Sequence, residues 1–165
     1  PLPFSGKAQC IRIPEKLIPL FVTNAMDGLP VPLYGDGLNV RDWLHVEDNC
    51  RAIECLIRRG RLGEVYNVGA NDERTNIEVA RRIVKLTGAS KDLIKFVPDR
   101  LGHDTRYAVN INKIKALGWK RKVDFEEGLE ATVRWYMDNR AWWTRIKEKN
   151  AAFKSFYESY YKDRK

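Results

Sequence analysis

The chain has 165 residues, which is enough for one compact domain and short for two. Its composition, 44% hydrophobic and 32% charged, has no apolar run long enough to span a bilayer and no leader-like start, so we expect a cytoplasmic globular protein. The net charge is +8, but residues 140–165 hold eight Lys or Arg against three acids, so the remaining body is too weakly basic to indicate a nucleic-acid surface.

Short strand-like runs alternate with helical patterns along the chain. Residues 1–13 show no period and predict an irregular arm. Strands are expected at 31–34, 40–46, 65–68, 94–97 and 106–109. Helices are expected at 14–27, 48–59, 75–88 and 112–117, and from 124 towards 143. The alternation predicts a single α/β domain that is rich in helix.

Several helix ends and turns have a physical signature. Thr75 and Glu78 match a capping box, in which each side chain satisfies a free backbone donor of the other residue. Asp124 begins the last long helix in the same manner. Gly35-Asp36-Gly37 tolerates positive φ and predicts a tight turn before the second strand. On the helix at 48–59, the expected buried face consists of Ala52, Ile53, Leu56 and Ile57.

The end of the chain, 141–165, predicts a basic aromatic helical tail. Five rings recur there at three- and four-residue spacing: Phe153, Phe156, Tyr157, Tyr160 and Tyr161. Rings in this pattern favour a face packed on the domain or on a second copy of the chain. Stacking on single-stranded nucleic acid is the alternative, since rings with positive charge suit such ligands.

The three cysteines, Cys10, Cys50 and Cys55, are an odd number without Cys-x-x-Cys spacing. This argues against a disulfide framework and against a zinc site. Cys50 and Cys55 are expected to be small buried hydrophobic residues. With His45 and His103 as the only histidines and no spacing that links them, we predict no metal site.

Two arginines are candidates for binding a diphosphate, because a guanidinium stays charged and its planar fork matches phosphate oxygens. Arg41 and Arg100 each stand beside a predicted turn and not within a helical face. An ion pair of Arg41 with Asp42 or Asp36 is the alternative, and spacing alone favours it.

His103 and Asn76 are further candidates. His103 lies in a glycine-containing loop between two strands and can donate to a phosphate or a sugar hydroxyl, or can be a surface residue beside Asp104. Asn76 follows the Thr75 cap, where free N–H groups favour anions, but a helix-capping role is the simpler interpretation. The carboxylates of Asp48, Asp99 and Asp104 lack a spacing typical of general acid–base pairs.

Five sequence blocks follow one another in a specific order. They are Pro14-Glu-Lys-Leu-Ile-Pro-Leu20, Tyr34-Gly-Asp-Gly37, Val40-Arg-Asp-Trp-Leu44, Tyr66-Asn-Val-Gly69 and Pro98-Asp-Arg-Leu-Gly-His-Asp104. Each block is weak alone, but as a set covering about 14–140 they resemble the C-terminal part of the dTDP-glucose 4,6-dehydratases. Those enzymes are extended short-chain dehydrogenase/reductases that act on nucleotide sugars.

The resemblance implies a dehydratase-like substrate lobe at 14–140 that binds a dTDP-sugar, dTDP-glucose in the family. Position by position, it puts twelve residues around the nucleotide and diphosphate: Lys16, Leu17, Pro32, Leu33, Tyr34, Arg41, Asn76, Asp99, Arg100, Leu101, Gly102 and His103. The independent interpretation of Arg41, Arg100 and Asn76 as anion contacts agrees with it.

The resemblance also implies a missing half. In the family, bound NAD oxidises the sugar at C4, water leaves across C5 and C6, and the hydride returns to C6. The Gly-rich cofactor loop and the Tyr-x-x-x-Lys pair for these steps belong to an N-terminal half, and we expect neither here. No residue of this chain is therefore assigned a catalytic, cofactor or metal role, and a separate cofactor-domain chain or a homo-oligomer is expected to complete the structure.

Some positions depart from the family pattern. Residues 4–13 do not resemble the Asn-Tyr-Gly-Pro segment that the family has there, and Leu101 stands where proline is common. Asn71-Asp72 replaces a usual His-Asn, and the residues after 150 have no counterpart. Binding of a dTDP-sugar is the leading function. A non-catalytic interaction or oligomerisation protein that uses the tail is the alternative, and a nucleic-acid-binding module is the least favoured.

Overall fold

The structure is a computed structural model and describes residues 16–149. Six α-helices occur in this part of the chain: α1 Leu17–Met26, α2 Val46–Arg59, α3 Asn76–Thr87, α4 Asn112–Lys115, α5 Phe125–Asp138 and α6 Arg140–Lys149. The five described strands are β1 Val31–Tyr34, β2 Val40–Asp42, β3 Glu73–Thr75, β4 Ile94–Val97 and β5 Arg106–Tyr107. The predicted helix-rich α/β fold with short strands is confirmed.

The described strands form two small sheets. β1 pairs in parallel with β4, with Tyr34 opposite Val97. In the second sheet β2 is central: it runs antiparallel to β3 and parallel to β5. The tight turn at 35–37 therefore connects strands of different sheets, and its two glycines have the positive φ angles that the sequence predicts.

The main core lies between α1, α3, α5 and β1. Every residue of α1 from Ile18 to Ala25 is buried, which explains why all of them except Thr23 and Asn24 are apolar. α3 adds Val79, Ala80 and Ile83, and its predicted capping box at Thr75 is present. This core therefore supports the ends of β1 and α3, where the predicted site residues lie.

A second, smaller core lies under α2. Its fully buried members are Ala52, Ile111, Ile114 and Trp119. Asp48 fixes α2 to the chain beyond Trp119, because its carboxylate accepts hydrogen bonds from the N–H groups of Lys122 and Val123, each at 2.9 Å.

The predicted strand at 65–68 is wrong: this segment has no ladder partner among the described residues. A strand is defined by pairing, and β-like sequence alone cannot supply a neighbour. The strand predicted at 40–46 ends at Asp42 because His45 already caps α2, and β5 ends at Tyr107. β3 was not predicted, since its three residues Glu-Arg-Thr have no apolar alternation.

The face predicted for α2 is half wrong. Ala52 is buried and Leu56 is packed against the second core, but Ile53 is 50% and Ile57 81% exposed. Cys50 is also exposed, contrary to the expectation of burial, whereas Cys55 is half-buried. Cys10 lies outside the described residues.

The helix predicted from 124 divides at Asn139, after which α6 begins. α6 packs on the domain: Trp143 is 3% exposed, and its indole N–H donates to the Tyr136 carbonyl at 2.9 Å. Residues 1–13 and the aromatic series from Phe153 to Tyr161 lie outside the described residues, so the arm, the tail and the domain boundaries stay predictions. No helix in the described part combines the length and the apolar character needed to cross a membrane.

Candidate functional site

The parallel pairing of β1 with β4 brings two predicted site segments together. Tyr34 ends β1 opposite Val97, the last residue of β4, and the Gly35 N–H donates to the Val97 carbonyl at 2.9 Å. The loop 98–104 follows directly. The rings of Tyr34 and His103 meet edge to face with centroids 5.8 Å apart. Tyr34 and His103 therefore line the same loop at the carboxyl ends of two strands, a common place for ligands in α/β proteins.

Asp99 orients His103 within this loop. The His103 Nδ1 lies 2.6 Å from Asp99 Oδ1, and the same oxygen accepts the Arg100 N–H at 2.8 Å. Slight burial acts to raise the pKa of Asp99, but the hydrogen bonds from His103 and from the Arg100 N–H outweigh it, so the pKa is lowered. The carboxylate is ionised at neutral pH, so His103 Nδ1 donates and its Nε2 is available for another group. The alternative of a surface histidine beside Asp104 is wrong, because the His103 side chain is 6% exposed and pairs with Asp99.

Arg41 forms neither of the ion pairs considered from the sequence. Its guanidinium donates to the carbonyls of Val40 at 2.7 Å and Asp104 at 2.9 Å, and it stacks on Tyr107 at 5.2 Å. Asp42 instead accepts main-chain N–H groups from 70–72, and Asp36 accepts the Leu38 N–H. Burial first, and then the nearby charge of Arg100, lower the pKa of Arg41, which still stays protonated at neutral pH. Two guanidinium groups near each other attract an anion, although the Asp104 carboxylate also lies near Arg41 and acts to raise its pKa.

The first turn of α3 reaches the same region through Asn39, a residue that the sequence analysis did not select. The Asn76 N–H donates to the Asn39 carbonyl at 3.0 Å, and the Asn39 amide donates to the Asp104 carbonyl at 3.3 Å. Asp104 also accepts from Arg41, so one carbonyl joins both residues to the loop. Asn39 could have been selected as a candidate from the sequence, because it is a polar residue close to the predicted turn at 35–37.

Asn76 does not cap α3. Thr75 is the cap, and its hydroxyl accepts the Glu78 N–H in the capping box. Asn76 is 6% exposed, and its buried Oδ1 accepts no hydrogen bond from the described residues. Since buried polar atoms are nearly always paired, this atom points to a group that binds there.

Other predicted residues are placed differently. The Lys16 and Leu17 positions begin α1, and Leu17 packs against the main core. Leu33 is 1% exposed and belongs to the main core, and Pro32 is also buried, so neither residue lies on the accessible surface of the described chain. Leu101 is fully exposed and Gly102 adopts a φ of 68° in the loop. The structure thus joins Tyr34, Arg41, Asn76, Arg100 and His103, with Asp99 beside them; we call these five residues the Arg41 site.

His45 has a structural role. His45 is 4% exposed, caps α2 by accepting the Glu47 N–H, and has a pKa lowered mainly by burial. No cluster of three or more possible metal ligands occurs among residues 16–149. A separate open groove of about 470 Å³ is lined by Asp42, Asn71, Glu73, Arg106 and residues 108–112, and it includes none of the twelve predicted site residues.

The family model for GDP-mannose 4,6 dehydratase matches residues 4–132, most of the chain. This chain therefore belongs to that family of nucleotide-sugar dehydratases. Among individual relatives, it is 54% identical over 142 residues to the dTDP-glucose 4,6-dehydratase of Streptomyces niveus. That match covers 86% of this chain and 42% of the relative. The resemblance inferred from the five sequence blocks is confirmed.

Solved structures agree with this assignment. The dTDP-glucose 4,6-dehydratase of Bacillus anthracis, in complex with NAD, matches at 55% identity and a TM-score of 0.77, covering 82% of this chain and 43% of that one. The enzyme of Streptomyces venezuelae, solved with NAD, matches at 48% identity and a TM-score of 0.79, with 82% and 42% covered. The chain thus spans well under half the length of the relatives it matches.

The described residues do not fit a dinucleotide-binding loop. The connections from strand to helix at 43–45, 75–76 and 108–111 contain no glycine, and the Gly-x-Gly-x-x-Gly pattern is absent from the whole sequence. The expectation about Tyr-x-x-x-Lys needs a correction, because Tyr161 and Lys165 have that spacing. Both lie outside the described residues, in the tail that the resemblance does not cover.

Proposed function

We propose that this chain is the nucleotide-sugar-binding part of a dTDP-glucose 4,6-dehydratase, and that the Arg41 site holds the diphosphate of dTDP-glucose. Arg41 supports the proposal most directly. Its hydrogen bonds go to two carbonyls and none to a carboxylate, and Arg100 acts on it as a neighbouring positive charge. A diphosphate would neutralise both guanidinium groups and accept their remaining donors.

Three other features of the site suit the same ligand. The Asn76 side chain lies in the first turn of α3, and its Oδ1, unpaired among the described residues, can accept a hydrogen bond from a hydroxyl of the sugar. His103 has one ring nitrogen fixed by Asp99, which leaves the other for a phosphate or hydroxyl oxygen. The half-buried ring of Tyr34 offers an apolar face for the nucleotide. Lys16, Leu17, Pro32, Leu101 and Gly102 stay predicted contacts in this proposal.

Calorimetric titration with dTDP-glucose at near-physiological salt tests the proposal. Wild-type chain should show saturable binding, and Arg41→Ala should weaken it about 10- to 100-fold, the usual worth of a hydrogen bond to a charged group. Arg58→Ala is the matched control, because Arg58 is an exposed arginine of α2 already paired with Glu54. Its affinity should equal that of the wild type.

Two results would contradict the proposal. One is the absence of binding heat from a chain that circular dichroism shows to be folded. The other is equal affinity for dTDP-glucose and for unrelated nucleotides, which would mean that the site only attracts anions.

The complete reaction needs groups that this chain does not supply in its described part. The relatives from B. anthracis and S. venezuelae bind NAD. We place NAD in the remainder of the complete dehydratase, which would oxidise and dehydrate the sugar held here. A cytoplasmic location and a substrate lobe bounded at 14–140 stay predictions within the same proposal.

A further inference from the structure

Arg41, Asn76 and His103 come from three separate segments of the chain: β2, the first turn of α3 and the loop after β4. Hydrogen bonds of one residue, Asn39, connect these segments. Asn39 directly precedes β2, is 8% exposed, and is not one of the twelve predicted contacts. Its position therefore affects how the parts of the site are spaced.

The backbone around Asn39 is fixed to α3. The Asn39 carbonyl accepts the Asn76 N–H and the Gly37 carbonyl accepts the Ile77 N–H, both at 3.0 Å. These N–H groups belong to the first turn of the helix and have no partner within it. Ile77 is also a member of the main core. Asn39 is thus held by a rigid part of the molecule.

The Asn39 side chain extends from this rigid part to the loop after β4. Its amide donates to the Asp104 carbonyl at 3.3 Å, and the Arg41 guanidinium donates to the same carbonyl at 2.9 Å. A carbonyl oxygen has two lone pairs and can accept both bonds. Next to Asn39, the Val40 N–H donates to the Thr105 carbonyl at 2.8 Å, so the end of the loop is held at two successive residues.

The shared carbonyl makes the position of Arg41 depend on Asn39. An arginine side chain has many rotamers, and a bond to a mobile carbonyl would not fix its guanidinium. The Asn39 amide keeps the Asp104 carbonyl in place, so the remaining donors of the guanidinium have a defined direction before a ligand binds. Such preorganisation lowers the entropy that binding costs.

We propose that Asn39 is a positioning residue for the Arg41 site. Its amide acts through the Asp104 carbonyl and holds the loop of His103 at a fixed distance from α3. In Asn39→Ala the backbone bond to Asn76 remains, and only the bond of the side chain to the loop is lost. The loop and α3 then move relative to each other, and a ligand that contacts both binds more weakly.

Amide hydrogen exchange of the ligand-free chain gives the first test. Asn39→Ala should speed the exchange of the Val40 amide about five- to tenfold, because the Thr105 carbonyl that it bonds to loses a neighbouring anchor. The Asn76 amide, bonded to the backbone of residue 39, should exchange at the wild-type rate. A merely structural role would speed both amides equally. Asn39→Asp keeps the size of the side chain without the donor and should give the same pattern, so the test does not depend on the cavity that alanine leaves.

Asn24→Ala is the matched control. Asn24 is also buried, at 1% exposed, and its amide also donates to a distant backbone carbonyl, that of Pro30 at 2.7 Å. It lies in α1, outside the Arg41 site. This variant should lower the free energy of unfolding without a selective change at the Val40 amide. Its affinity for dTDP-glucose, titrated where the variant is folded, should equal that of the wild type.

The second test is a titration with dTDP-glucose, and this part of the inference rests on the proposed function. Asn39→Ala should weaken binding about three- to tenfold, the cost of ordering one mobile side chain. In a chain that already has His103→Ala, the same substitution should weaken binding by a smaller factor, because part of what Asn39 positions is then absent.

Three results overturn the inference: a Val40 amide that exchanges as in the wild type, equal acceleration of the Val40 and Asn76 amides, or an equal loss of affinity from Asn39→Ala with and without His103→Ala. Failure of the proposed function has a different sign, since the wild-type chain itself then does not bind dTDP-glucose. In that case the exchange of the two amides alone decides whether Asn39 holds the loop.

Discussion

His103 and Asp99 form a 2.6 Å contact between imidazole Nδ1 and carboxylate Oδ1 within the loop that follows β4. The contact fixes the ring against Tyr34, at the end of the neighbouring strand. A carboxylate so near a predicted diphosphate acts in two opposite ways. Its charge repels the anion, and its hydrogen bonds position His103 and the Arg100 N–H.

Two substitutions at Asp99 separate these effects. Asp99→Asn removes the charge but retains an oxygen that can accept from His103 and from the Arg100 N–H. Its affinity for dTDP-glucose should equal or exceed that of the wild type. Asp99→Ala removes the acceptor as well, and should weaken binding about tenfold, as expected for one lost hydrogen bond of this type. Calorimetric titration of both variants measures the difference.

The comparison also has a clear negative result. If Asp99→Ala binds more tightly than Asp99→Asn, the carboxylate only repels the ligand and does not position His103. Thermal melting of both variants shows whether the loop change affects folding, which is not expected for a side chain at this exposed position.

Asn76→Ala should weaken dTDP-glucose binding without lowering stability. The Asn76 Oδ1 is buried without a hydrogen-bond partner among the described residues, so the folded chain loses no bond there when the amide is removed. The free energy of unfolding should change by less than about 1 kcal/mol, because an unpaired buried polar atom is itself destabilising. Urea denaturation measures stability, and titration measures affinity.

Thr75→Ala is the control for Asn76. It removes the capping hydroxyl and should cost about 1 kcal/mol of stability. Titration at a temperature where this variant is fully folded should show nearly wild-type affinity. A loss of stability in Asn76→Ala as large as in Thr75→Ala would contradict the assignment of Asn76 to ligand binding.

Gly37→Ala should be strongly destabilising. Gly37 has a φ of 75°, and a Cβ there would meet the Leu33 Cδ2 at 2.5 Å and the Ile77 Cβ at 3.0 Å, both in the main core. Strain and overpacking together should cost about 2–4 kcal/mol of unfolding free energy. Gly63→Ala isolates the backbone part, because Gly63 has a φ of 80° and open space around it. Gly63→Ala should lower the free energy of unfolding by about 1 kcal/mol. If Gly37→Ala costs no more than Gly63→Ala, the core around Gly37 can rearrange to accept the added methyl group.

Asp48→Asn should lower the free energy of unfolding at neutral pH and make that free energy less dependent on pH. Burial alone would raise the pKa of Asp48, but hydrogen bonds from the Val123 N–H, Arg51 and the Lys122 N–H together lower the pKa below its ordinary 3.8. A carboxylate with a lowered pKa contributes stability above pH 3.8, and that contribution is lost as the pH falls through the folded-state pKa.

At pH 7, Asp48→Asn should cost about 2–3 kcal/mol, because an amide cannot accept at both backbone N–H groups and Arg51 loses the nearer of its two carboxylate partners, keeping Glu47 at 3.6 Å. Below pH 3.8 the difference between variant and wild type should shrink. Urea denaturation across this pH range measures it. Glu54→Gln, in an exposed pair with Arg58 on the same helix, should change stability by less than about 0.5 kcal/mol. A constant difference between Asp48→Asn and wild type at all pH values would refute the role of the charge.

The sequence predicted most helices because their signals are local. The capping box at Thr75 and the buried face of α3 are present as expected, and β1 and β4 have the predicted bounds. Pairing between strands is not local, so the sequence could not show that 65–68 lacks a neighbour or that the short segment Glu73–Thr75 has one.

The same reasoning applies to the site. Side-chain chemistry near turns identified Arg41, Arg100 and His103, whereas partner choice depended on folding. Arg41 is next to Asp42 in the chain, yet Asp42 faces the N–H groups of 70–72, and Arg41 reaches Asp104, 63 residues away. Asn39 was missed because its role is to join two distant backbone segments.

Trp143→Ala tests whether the segment after 140 is an appendage, as the predicted boundary states, or an integral part of the fold. Trp143 is 3% exposed in the main core, and its indole N–H donates to the Tyr136 carbonyl. Arg140 and Lys147, on either side of it in α6, both pair with Asp27 after α1, at 2.8 and 3.0 Å. Loss of the ring should therefore cost about 3–5 kcal/mol of unfolding free energy.

Trp142→Ala is the control. Trp142 is 39% exposed and its ring contacts that of Trp135 at nearly a right angle, so its loss should cost about 1 kcal/mol of unfolding free energy. If urea denaturation shows that both substitutions lower the free energy of unfolding by the same small amount, α6 is an appendage and not part of the fold.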